Sequence, residues 1–335
     1  MSELSASLFS PSRDSGIALR GSLNRDFARS YEHILQACAD HIEIPESQVE
    51  ALLSRIRAGA RETPFLFSLH FKLLEAIEDD RLDEVDALIA RIVSVEPAEP
   101  GILLTTFDPV DFPWDWETVA GYFAAENDSL FRYVPPSADL VPTRMAQVED
   151  ALELIRQTLP GLAAELNEVI TTVILASGVS LADEATSVMP FQGASALRAF
   201  GATVLDVNSD QSVVDCASSL IHEEAHSTLY ALSPMDGVVT NPDDERHSSP
   251  LRDDPRPLEG IFHATFVLAR ISFGMDAMLS SGQLASDERD AATEVVSNSR
   301  PLFFDGLTTL RRHANLTPAG DAALEAAETY MAAYT

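Results

Sequence analysis

The sequence predicts a mainly α-helical protein carrying a few short strands. Three observations lead there. Apolar residues recur at helical spacing through residues 23–95. The same periodicity returns from Thr143 and again after about Gln211. Only two short stretches, near residues 102–107 and 202–207, read as strands. A chain of 335 residues is one large domain or two ordinary ones, and 46% apolar residues supply a full core without a disulfide or structural metal.

Taken in order, Ile34, Leu35 and Cys38 share a helix face, as do Leu52, Leu53 and Ile56. Val85, Leu88, Ile89, Ile92 and Val93 do the same after an acidic run, Glu78 to Glu84. Acids at a helix start favour the positive end of its dipole, and a solvated face explains the run. Pro97-Ala98-Glu99-Pro100-Gly101 breaks the pattern, and Ile102 to Phe107 follows as a short strand. Phe112-Pro113-Trp114-Asp115-Trp116 holds both tryptophans; such a cluster packs a loop onto the core or lines a groove for a peptide. Prolines from Pro135 to Pro142 mark a boundary between a helical region, 1–142, with peptide binding as its candidate role, and a catalytic region, 143–335. Thr143 to about Ala176 reads as helix, interrupted at Pro160. Ala202 to Val207 alternates as a strand, and the remainder is helical except for a polar connection from Ser233 to Arg256.

Charge narrows the partners. Lys plus Arg is 22 against 53 Asp plus Glu, a net charge of −31, so phosphate backbones are repelled and no nucleic-acid partner is expected. The only lysine is Lys72. No apolar stretch approaches the roughly 20 residues of a membrane span. Met1 to Arg20 lacks the apolar segment of a secretory signal. Cys38 and Cys216 are too few for a disulfide framework. The expectation is a cytoplasmic protein with no membrane partner, and the sequence sets no oligomeric state.

The informative stretch is Ser219-Leu220-Ile221-His222-Glu223-Glu224-Ala225-His226. At about 100° per residue, His222 and His226 lie about 40° apart on one helix face. Val214, Ala217, Ile221, Ala225 and Leu232 form a separate apolar stripe that buries the helix. Two imidazoles one turn apart can share a metal, with Glu223 to the side. A third protein ligand is needed. Leu229 and Leu232 stand where the metzincin pattern requires Gly and His, which excludes that class. Pro257 opens a second helix in which Glu259 and His263, four residues apart, share a face, so either completes the set. His247, in the polar connection, reads as solvent-exposed. Arg252 and Arg256 lie just before this helix; arginine holds carboxylates bidentately, or the two pair with Asp253, Asp254 or other loop acids.

These residues together carry a resemblance. His222-Glu223-x-x-His226, the polar loop, Arg252-Asp253-Asp254-Pro255-Arg256-Pro257-Leu258 and Gly260-x-x-His263 resemble the HExxH-type alpha-ketoglutarate-dependent peptide β-hydroxylases. That family accompanies ribosomally made, post-translationally modified peptides, and the likeness spans about residues 200–275. It implies an Fe(II) oxygenase that uses alpha-ketoglutarate and molecular oxygen to hydroxylate a β-carbon in a precursor peptide. His222, His226 and His263 would be the ligands, Glu223 would stand beside them, and Arg252 or Arg256 would hold the cosubstrate. Three imidazoles depart from the usual two-histidine, one-carboxylate iron site, which keeps Glu259 in play. By analogy with zinc peptidases, a zincin-like metal helix beside a small edge strand at 202–207 would align an extended peptide. The alternative is a zinc metallopeptidase of gluzincin type, with Glu223 as general base and Glu259 as third ligand. A non-enzymatic helical interaction protein with a degenerate motif is a third class.

Overall fold

A computed structural model describes residues 7–38, 45–126, 131–181, 188–209, 212–251 and 254–333. It is 63% helical and 10% strand, so the mainly α class holds. The helices are α1 (Arg13–Cys38), α2 (Glu46–Arg57), α3 (Pro64–Glu78), α4 (Leu82–Val93), α5 (Trp116–Glu126), α6 (Val141–Thr158), α7 (Pro160–Val169), α8 (Val213–Leu232), α9 (Leu258–Ser281), α10 (Ser286–His313) and α11 (Pro318–Ala332). The strands are β1 (Leu103–Thr106), β2 (Phe131–Val134), β3 (Thr172–Ser180), β4 (Gly193–Ser195) and β5 (Ala202–Asp206), with two-residue pieces β6 (Arg246–His247) and β7 (Arg256–Pro257). No helix among the described residues is long and apolar enough to cross a membrane.

The chain forms two compact units, each discontinuous in sequence. One comprises Arg20–Met145 and Asn167–Ser209. Its helices bury the stripes expected for them: Leu52, Leu53 and Ile56 of α2 and Val85, Leu88, Ile89 and Ile92 of α4 join one core. Its sheet runs β1-β3-β5-β4, with β1, β3 and β5 parallel and β4 antiparallel to β5. β2 lies antiparallel along the far half of β3. Phe107, Phe112, Val119, Phe123, Ile174 and Val204 pack against this sheet, with Trp114 and Trp116 at the margin.

Two expectations are corrected here. The helix expected to run to Ala176 ends at Val169, and Thr172 to Ser180 is the central strand β3. The strand at Ala202–Asp206 is not an edge: β3 covers one side and β4 the other, pairing Thr203 with Ser195 and Leu205 with Gly193. All five of its residues are buried. It therefore offers no free backbone to a peptide, and in the β1-β3-β5-β4 order the terminal strands are β1 and β4.

The other unit comprises Met1–Leu19, Ala146–Leu166 and Asp210–Thr335. α8 begins on a reciprocal cap, in which the Ser212 hydroxyl accepts from the Asp215 amide and the Asp215 carboxylate accepts from the Ser212 amide. Val214, Ala217, Ile221, Ala225 and Leu232 are buried, as the apolar stripe requires. α8 and α9 approach closely at Gly274, where a Cβ would meet Ile221 Cδ1 at 2.5 Å. α9 ends at Gly282 in the left-handed conformation, φ 71°, and α10 returns antiparallel.

A buried charge network ties α8, α9 and α7 together. Arg270, fully buried, donates through Nη2 to both oxygens of Glu224 at 2.9 and 2.7 Å and to Oε1 of Glu165 at 2.8 Å. Its Nη1 donates to the Leu8 carbonyl, the Ser15 hydroxyl donates to Glu165, and Thr228 Oγ1 donates to Glu224 at 2.8 Å. One guanidinium faces two carboxylates. Burial first, and then the Glu224 charge, push the Glu165 carboxyl up to about 7 against the pull of Arg270. A carboxyl held above its unfolded value stabilises fully below about pH 4.5 and loses that contribution as pH rises through about 7. Glu165→Gln, which removes the charge, should therefore gain on the wild type by roughly 1–3 kcal/mol between pH 5 and pH 8. Chemical denaturation at both pH values measures this. A constant difference would remove Glu165 as the titrating group.

Candidate metal centre

His222 and His226 project from α8 one turn apart, with side chains only partly exposed (28% for His222). Their Nε2 atoms lie 3.1 Å apart. His263, from the second turn of α9, sets its Nδ1 3.0 Å from Nδ1 of His226, the rings stacked within 20°. Its Nε2 lies 3.6 Å from Oε1 of Glu259, one turn earlier on the same helix. Glu259 Oε2 accepts from the Val239 amide at 3.2 Å. The four groups thus form a line: Glu259, His263, His226, His222.

Protonation states follow from that line. Burial lowers His222 to about 4. Burial, and then the neighbouring imidazoles, hold His226 well below the histidine range. Both rings are therefore neutral at pH 7 and present lone pairs. Burial pushes Glu259 up, but His263 and the Val238 and Val239 amides outweigh it and keep the carboxyl ionised below its usual range. Glu259 Oε1 stands 3.6 Å from His263 Nε2, one of the two Nδ1 atoms of His226 and His263 donates to the other, and His226 Nε2 faces His222.

A divalent metal bound by two imidazoles at about 2.0–2.1 Å brings those nitrogens to about 3.0–3.4 Å of each other. The His222 and His226 pair meets that spacing. His263 adjoins the pair but faces the opposite nitrogen of His226. Among the described residues no group of three or more His, Cys, Asp and Glu side chains stands arranged around one point. The donor set therefore fits a metal at two positions, with the third requiring the His263 ring to turn.

The remaining expected residues fall as follows. Glu223 is buried, its side chain 3% exposed, with Oε1 3.9 Å from His222 Nε2. Glu224, which reads as a spacer in the motif, is the buried partner of Arg270. Arg256 lies on β7 immediately before α9, 22% exposed, with Nε 3.1 Å from Oδ2 of Asp254. Arg252 lies outside the described residues. His247 is not solvent-exposed as expected. It is 21% exposed, stacked on His313 at 4.1 Å, with Nε2 3.0 Å from Glu245. The polar connection bearing it is pinned to the α10–α11 turn: Thr240 donates to Asn315 O, Thr317 N to Val238 O and Asn241 Nδ2 to His313 O. Gly320 seals this contact, since a Cβ there would meet Val238 O at 2.0 Å. Those pins place Val239 for Glu259, a link that no local pattern in the sequence signals.

Neither known family models nor curated proteins match the chain.

Proposed function

We propose that the chain is an iron(II)- and alpha-ketoglutarate-dependent oxygenase that hydroxylates a β-carbon of a residue in a ribosomal precursor peptide, acting in the cytoplasm. The observation that carries this reading is the paired Nε2 atoms of His222 and His226, 3.1 Å apart and neutral, with a third imidazole against them. His222, His226 and His263 hold the metal, and three neutral ligands leave its full charge to attract a carboxylate of the cosubstrate. Iron with alpha-ketoglutarate and oxygen would supply the oxidising power for C–H hydroxylation; the protein supplies position and a dry site. Glu259 steadies His263. Glu223 stands beside His222, where its charge adds to the hold on a cation.

The distal carboxylate of the cosubstrate needs a cation in a partly dry pocket. Arg256 is the first candidate, between Pro255 and Pro257, which limit its backbone freedom; Arg252 is the second. Arg256 would exchange the exposed Asp254 for the ligand. Arg256→Met should raise the alpha-ketoglutarate concentration for half-maximal turnover at least tenfold, about 1.4 kcal/mol, while peptide binding changes much less. An unchanged requirement would place that carboxylate elsewhere. The direct test of the activity is succinate formed from alpha-ketoglutarate only when Fe(II), oxygen and peptide are all present. X-ray absorption at the metal edge should then count three imidazoles; two would leave His263 behind His226 as an orienting group.

Glu223, buried 3.9 Å from His222 Nε2, also suits the general base of a zinc peptidase, which is the second reading. That reading needs Glu259 on the metal. Its oxygens are instead turned to His263 and the Val239 amide, with His263 between them and His226, so Glu259 stands farther from the His222–His226 pair than His263 does.

A further inference from the structure

The unit that carries the sheet holds a cavity of about 650 Å³ at the start of β1. One wall is the proline-bearing segment 94–103, and the other side includes Thr63, Phe65 and Trp114. The wall is built in advance. Arg61 donates to the carbonyls of Glu99, Gly101 and Ile170 at 3.0, 2.9 and 3.2 Å, and the Ala98 amide donates back to the Arg61 carbonyl. Phe65 and Trp114 stand nearly parallel, 16° apart, with centroids separated by 6.5 Å.

Two features say what enters. β1 ends the sheet order, paired with β3. Leu103 and Phe107 spend their amides on β3, so the intervening Leu104 and Thr106 turn theirs outward. Glu96 and Glu99 line the same cavity, both exposed, and no cation pairs with either among the described residues.

We propose that this cavity and the β1 edge form a docking site for an extended peptide segment bearing lysine or arginine. The peptide backbone adds to β1 by strand pairing. Arg91 already stands over the Phe65 ring at 5.5 Å, so one basic side chain of the peptide lies along Trp114, its charge shared between the indole face and the two carboxylates. The proposal rests on the peptide-acting reading above only for the class of its ligand; it needs neither metal nor cosubstrate.

Trp114 lines the cavity and Trp116, the only other tryptophan, packs against the adjoining core, so tryptophan emission reports this region. The metal-free full chain is titrated with a 12-residue peptide of alternating threonine and lysine, its glutamate counterpart, and the lysine peptide N-methylated at alternate residues. The expected result is a saturable emission change with the lysine peptide, at least tenfold weaker binding once it is N-methylated, and none with the glutamate peptide. Glu96→Gln with Glu99→Gln, two surface changes, should weaken binding at least fivefold at low salt. An unresponsive emission, equal binding of the glutamate peptide, or an unaffected double variant overturns the proposal. So does an emission change from a neutral detergent with none from the lysine peptide, which would make the cavity a lipid site. Because docking needs neither metal nor cosubstrate, failure of succinate formation leaves this site standing, and absence of docking leaves the oxygenase reading standing.

Discussion

Arg270→Met should destabilise the chain by about 3–5 kcal/mol, among the largest effects of any single substitution. The side chain is fully buried and is the cation for both Glu224 and Glu165, at 2.7–2.9 Å. Methionine fills much of the volume but leaves two carboxylates facing each other in a dry interior. They would have to take up protons or draw in water, and either costs several kcal/mol. Chemical denaturation at pH 7 gives the number. The triple variant Arg270→Met, Glu224→Gln, Glu165→Gln should recover most of the loss, because the penalty lies in the unpaired charges. A loss below about 1 kcal/mol for Arg270→Met would mean that water reaches these carboxylates. The network also has a bearing on the metal centre. Glu224 is flanked by Glu223 and, two residues away on each side, by His222 and His226, so its bond to Arg270 fixes the roll of α8 relative to α9.

That network was hidden in the sequence, whereas the histidines were legible. Spacing alone places His222 with His226 and Glu259 with His263, because a helix repeats its face every three or four residues. Nothing local connects Glu224 to Arg270, 46 residues on, or to Glu165 in another helix. The same limit explains β3. Thr172-Val173-Ile174-Leu175-Ala176 lies in a strand enclosed by neighbours, so it lacks the alternation of a half-exposed strand. A continuous apolar run of that length reads equally well as buried helix, and only its β-branched content argues otherwise. β5 shows the converse error. Its identity as a strand was readable in Ala202 to Val207, but which side of it is free depends on β4, whose Gly-Ala-Ser has almost no strand signature of its own. Placement of the loop acids was partly readable: Pro255 and Pro257 stiffen the backbone around Arg256, yet its pairing with Asp254 is one of several that the spacing allowed.

His226→Ala and Glu223→Gln together separate the readings of the metal centre. His226 is in contact with both other imidazoles, so its removal takes away a ligand and the link between them. Loss of a group that only orients a ligand typically weakens metal affinity about 10- to 100-fold, so deleting His226 should weaken Fe(II) or Co(II) binding by more than about 100-fold. Isothermal titration of the metal into the apo chain measures it, and an affinity within tenfold of the wild type would take His226 off the metal. Glu223→Gln keeps the shape and removes the charge. If Glu223 were the base that activates water in a peptidase, turnover would fall about 10²–10⁴-fold with metal binding intact. An oxygenase asks no such proton transfer of it, so the variant should keep measurable hydroxylation while the metal, losing a nearby negative charge, binds more weakly. Complete loss of turnover at unchanged metal content and cosubstrate affinity would falsify the oxygenase role given to Glu223. Metal-dependent cleavage of a peptide backbone by the wild type would turn the reading to the peptidase. The two variants answer different questions because the two side chains touch the site differently. His226 faces His222 through its Nε2, whereas Glu223 lies 3.9 Å from the His222 nitrogen, near enough for its charge to be felt by a cation there.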